Sequence, residues 1–149
     1  MYCNVSMSGE DYGNYPLIFS SYVFLTNMVV CWYYGYNTYM TAFLFLFITS
    51  IIFHSYNILA TNIIDKFSIL FVILYGSHVL FDKLRHPLQF SQVLLTAFIF
   101  ATFLATALLY VYGYTCKKYC FDEDSETANM NHALLHVISS IGHHCIVLL

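Results

Sequence analysis

The sequence predicts an all-α fold: a polytopic transmembrane helix bundle of about five spans, forming one domain over residues 1–149. Three observations carry this expectation. Charged residues make up 9% of the chain, against about 25% in a soluble domain. Hydrophobic residues make up 60%, and the mean hydropathy is +0.68. The apolar residues also gather into five stretches, each close to the roughly 20 residues that a helix needs to cross the hydrocarbon core.

The elements follow in order. Residues 1–15 form a short polar segment. It holds Glu10 and Asp11 and has neither a basic nor an apolar run, so no cleavable signal peptide is expected. Asn4-Val5-Ser6 is a glycosylation sequon. The first span is Pro16–Tyr34 and the second Tyr39–Ala60. The "CWYYGYNTY" between them reads as interfacial belt residues. The third span is Ile63–Phe81, with Asp65 and Lys66 at its start. After the loop "FDKLRHP" comes the fourth, Phe90–Tyr112. A polar loop over residues 113–130 leads to the fifth, Asn131–Leu149.

Some function classes fall away at once. The net charge is −3, so no basic patch points to nucleic acid. The five cysteines, Cys3, Cys31, Cys116, Cys120 and Cys145, show no zinc-ribbon or disulfide-framework spacing. A Cys116–Cys120 bridge is the one pairing that the sequence suggests. Lys66, Lys117 and Lys118 fall on one membrane side and Lys83 and Arg85 on the other, so the positive-inside rule does not orient the chain.

The order of the spans brings polar residues together. The end of the second span and the starts of the third and fifth share one membrane face. Ser50 and His54 are four residues apart, as are His132 and His136, so each pair occupies one helix face. His54 and His136 are each expected about six residues inside their helix ends, roughly 9 Å deep at 1.5 Å per residue. Polar groups at such depth are costly unless they pair or bind something. Three imidazoles suit zinc, and three protein ligands leave a fourth position for water. Asp65 could take that water's proton, and Ser50 could hold the oxyanion or orient the water. That is a hydrolase constellation.

Each residue also has an ordinary structural explanation. Asp65 and Lys66 could mark an interface, and Ser50 could bond a helix carbonyl. His78 is expected to be an interhelical hydrogen-bond partner. His143 and His144 are adjacent, point about 100° apart on a helix, and are expected to be non-ligands.

At these residues the chain resembles the alkaline ceramidases. "SIIFH" looks like their S-x-x-F-H motif, and Asp65 follows His54 at their spacing of eleven residues. "HALLHVISSIG" is similar to their last-helix motif, with Leu135 where they have an aromatic residue. "EDYGNYPLIFSSYVFLTN" resembles their N-terminal segment, with Tyr12 and Asn27 fifteen residues apart and Thr26 in place of serine. The resemblance implies a membrane enzyme that cleaves a ceramide-like lipid to a fatty acid and a sphingoid base. It implies zinc held by His54, His132 and His136, with Asp65 and Ser50 in catalysis.

The departures set further expectations. Asp65 and His132 lie 67 positions apart, room for one span where the family's seven-helix plan needs three. A homo-oligomer could complete such a reduced bundle. The family's calcium segment is replaced by Ser6, Met7, Ser8, Gly9, Glu10, Asp11 and Tyr12, and its later glutamate place holds Ser20. Asp11 is the main oxygen ligand left there, so no calcium site is expected. Lys66 stands where the family often has glutamate. The expected location is a multi-pass position in an internal membrane, ER or Golgi. The alternative is a non-catalytic relative, receptor-like, fusion-related or lipid-binding, with a structural or lost metal site.

Overall fold

Helices form because the apolar runs have no other way to satisfy their backbone in lipid. A computed structural model describes residues 15–56 and 58–149. Cys3, the sequon at Asn4 and the Asp11 segment lie outside the described residues. Every regular element among the described residues is helical. Helix α1 spans Tyr15–Tyr33, with a one-residue irregularity at Tyr22. Helix α2 is Asn37–Ser55, α3 is Leu59–Leu84 and α4 is Phe90–Ala107. The last runs on through a π-helical turn, Leu108–Tyr112, and one α turn, Gly113–Cys116. Helix α5 is Ser125–Leu148.

Four helices are long and apolar enough to cross a membrane: α1, α2, α3 and the run that begins with α4. This is the make-up of a membrane protein. Large apolar side chains such as Phe19, Trp32, Phe67, Leu74 and Leu104 lie exposed, as lipid-facing residues do. Helix α5, with 24 residues, is long enough but more polar. It packs against α1, α3 and α4, while α2 packs between α1 and α3. The core between them is built from Phe24, Cys31, Tyr39, Phe43, Val72, Ile99 and Ile146.

Small residues allow the closest approaches. A Cβ on Gly76 of α3 would collide with the Tyr39 hydroxyl and touch the His143 ring at 3.0 Å. A Cβ on Gly142 of α5 would meet Thr102 Oγ1 and Phe103 of α4. Small residues at interfaces are the usual way membrane helices pack closely.

Several boundaries differ from the sequence expectation. Helix α2 stops at Ser55 rather than near Ala60, so His54 is its penultimate residue. Ile58, Leu59 and Ala60 belong to the approach and start of α3. There Thr61 Oγ1 donates to the Tyr56 carbonyl at 2.6 Å and accepts from the Ile58 amide at 3.3 Å. Asp65 therefore lies a turn and a half inside α3, not at its first residues. Helix α5 starts six residues early, because Asp124 Oδ2 accepts from the Thr127 amide at 2.9 Å and caps it. The polar loop 113–130 is correspondingly short.

Candidate metal centre

Three imidazoles converge where the end of α2 meets α5. His54 comes from α2, and His132 and His136 stand one turn apart on α5. Their ring centroids are 5.2 Å (His54–His132), 5.4 Å (His54–His136) and 4.9 Å (His132–His136) apart. One ring nitrogen from each lies within 4.8 Å of the others. Tetrahedral zinc with Zn–N bonds of 2.0–2.1 Å places its ligands about 3.3 Å apart. The three nitrogens are near enough for modest side-chain rotation to reach that spacing.

The polar atoms of the site support the fit. His54 Nε2 is buried and has no hydrogen-bond partner, and the same holds for Asp65 Oδ1. Buried polar atoms without partners are uncommon in folded proteins. His54 and His136 are 6% and 5% exposed, and Asp65 is 3% exposed. His132 is the more open member of the triad. Phe53 and Phe24 pack their rings beside His54 and His136.

Asp65 is buried inside the bundle rather than exposed at a helix end. Its Oδ2 lies 3.7 Å from Lys66 Nζ, and its other oxygen faces the interior. Lys66 itself is half-buried, over the rings of Phe53 and Tyr110 at 5.3 and 5.5 Å.

Two serines of α1 complete the arrangement, and sequence reasoning missed them as site residues. Ser20 Oγ lies 2.8 Å from His136 Nδ1 and donates its proton to the Leu17 carbonyl at 3.0 Å. When that proton goes to Leu17, Ser20 accepts from Nδ1–H and His136 presents a free lone pair on Nε2, as a metal-binding histidine with an outer partner should. Ser21 Oγ donates to the Leu17 carbonyl at 2.8 Å and lies 2.9 Å from Ser50 Oγ. When Ser21 gives its proton to Leu17, Ser50 donates to Ser21 and is left as an acceptor toward any water beside it. The only sign in the sequence was two adjacent polar residues, Ser20 and Ser21, in an apolar span.

The other histidines do not join the triad. His143 bonds Tyr39 OH, and its ring lies against Phe43 and Phe103. His144 Nδ1 lies 3.0 Å from Asn27 Nδ2 and 2.8 Å from the Ser140 carbonyl, and Ser140 Oγ bonds Asn27 Oδ1. Both are interhelical glue. His78 differs from expectation: it is exposed, and its one described contact is an edge-on approach to Tyr75 of its own helix, at 6.2 Å. It lies on the outward face of α3, so it has no neighbouring helix to bond. Cys116 and Cys120 are free, not bridged.

No protein-family model, curated protein or solved structure matches the chain.

Proposed function

We propose that this protein is a membrane-embedded, zinc-dependent amide hydrolase acting on ceramide or a related lipid amide, placed in an internal membrane. One observation carries the reading: three imidazoles from two helices converge, and two buried polar atoms, His54 Nε2 of that cluster and Asp65 Oδ1 of α3, lack partners. The resemblance of "SIIFH", Asp65 and "HALLHVISSIG" to the alkaline ceramidases supports the same residues in the same roles.

His54, His132 and His136 would hold the ion. When bound, zinc would supply Lewis acidity and a water of lowered pKa. The remaining work falls to the protein. Asp65 accepts the proton of the attacking water and passes it to the departing nitrogen, the general acid–base task. Ser50, its own proton engaged by Ser21, orients the water as a hydrogen-bond acceptor. Ser20 fixes His136. The apolar surroundings suit a lipid whose amide reaches the site while its chains stay in the bilayer.

The test is purified protein in neutral-lipid nanodiscs, assayed together for bound zinc and for fatty acid released from ceramide. Stoichiometric zinc with turnover is expected. Zinc without turnover favours the alternative of a non-catalytic relative with a structural metal, and absence of both removes the metal reading.

A further inference from the structure

Helix α3 reaches the π-helical turn that follows α4 through Lys66, whose ammonium lies over the Tyr110 ring at 5.5 Å. Along α3 a shallow groove is lined by Leu59, Asn62, Ile63, Lys66, Phe67 and Leu70.

Two polar donors stand in this otherwise apolar groove. Lys66 Nζ is held only loosely, at 3.7 Å from Asp65 with its side chain 38% exposed. Asn62 lies one turn before it on the same face, half-buried, with its backbone N–H on the Ile58 carbonyl at 3.1 Å. An ammonium and a side-chain amide four residues apart, bordered by apolar side chains, match an acyl chain ending in a singly charged, acceptor-only head.

We propose that this groove along α3 binds a fatty carboxylate, its head on Lys66 and Asn62 and its chain along Leu59, Ile63, Phe67 and Leu70. Naming the carboxylate rests on the proposed hydrolysis, which would release such a molecule; the binding itself needs no turnover. Lys66 then gives this chain a carboxylate seat next to its metal centre.

The experiment uses the full chain in phosphatidylcholine nanodiscs. The probe is palmitic acid with a diazirine in its chain, compared with the matching alcohol. Cross-linked peptides are mapped by mass spectrometry. The acid should label residues 59–70 and the Tyr110 turn, compete with unlabelled palmitate, and exceed the alcohol about tenfold. That factor corresponds to the lower end of a charge-assisted hydrogen bond. Lys66→Gln should erase the preference for the acid, Lys66→Arg should keep it, and Asn62→Leu should halve it or more. Equal labelling by acid and alcohol, or label spread evenly over all lipid-facing helices, overturns the proposal. So does a Lys66→Gln protein that elutes as the parent does and still prefers the acid. Acid-selective labelling without ceramide turnover would uphold the groove and defeat the hydrolase reading; turnover without selective labelling would do the reverse.

Discussion

Removing the Ser20 hydroxyl tests whether α1 takes part in the metal centre. Ser20 Oγ lies 2.8 Å from His136 Nδ1 and hands its own proton to the Leu17 carbonyl. In Ser20→Ala, the buried Nδ1 loses its partner. The imidazole is then free to carry its proton on either nitrogen, and its ring loses one anchor. Loss of such an outer partner typically lowers metal affinity by about 10–100-fold, or roughly 1.4–2.8 kcal/mol. The assay is competition for zinc against a chromophoric chelator at fixed pH, with thermal unfolding measured in parallel. Ser20→Thr keeps a hydroxyl and should stay within about threefold of the parent, on the same scale of outer-partner effects. If Ser20→Ala binds zinc within about twofold of the parent, while His136→Ala binds none, Ser20 merely ties α1 to α5 and the tautomer argument fails.

Three other predictions follow from the same geometry. A His132→Ala, His136→Ala double variant removes two of the three candidate ligands and should bind no zinc in equilibrium dialysis; full occupancy would defeat the assignment. Asp65→Asn keeps shape but is a poor proton acceptor, so it should retain zinc and lose about 10²–10⁴-fold in turnover, with Ser50→Ala losing less. Turnover within about twofold of the parent would leave Asp65 no part in proton transfer. Gly76→Ala drives a methyl into the Tyr39 hydroxyl, which itself bonds His143. Overpacking costs about 1–3 kcal/mol, whereas an interhelical hydrogen bond in a membrane protein averages about 0.6 kcal/mol. Thermal unfolding in detergent should therefore show Gly76→Ala as more damaging than Tyr39→Phe, and the reverse order would count against the close α2–α3 approach.

The triad and the helix count were legible in the sequence because both depend on periodicity. A four-residue spacing places Ser50 with His54 and His132 with His136, whatever the helix ends turn out to be. The depth argument did not survive in its original form. It set His54 six residues inside its helix, yet His54 is penultimate in α2. Hydropathy cannot assign Ile58, Leu59 and Ala60 to the helix before or after them; the hydrogen bonds of Thr61 do. The start of α5 was hidden for the opposite reason. "SETANMN" is polar enough to look like a loop, but Asp124 three residues before Thr127 is a capping arrangement that hydropathy ignores. Ser20 and Lys66 were invisible as site residues because each acts across a helix interface, which local spacing does not encode.

What separates the triad from the rest of α5 is not residue type but satisfaction. His143 and His144 belong to the same helix and the same chemistry as His132 and His136. Each of that pair has a hydrogen-bond partner: Tyr39 for His143, Asn27 and the Ser140 carbonyl for His144. These are what helix packing requires, since an unpaired polar group in an apolar interior costs about 1–3 kcal/mol. The same packing leaves His54 Nε2 and Asp65 Oδ1 without partners. Had the cluster served packing alone, Asn27, Ser140 and Tyr39 demonstrate that this bundle has the means to satisfy it. His54 Nε2 instead sits where three imidazoles converge from α2 and α5, so its missing partner is best sought in a ligand that the three can share.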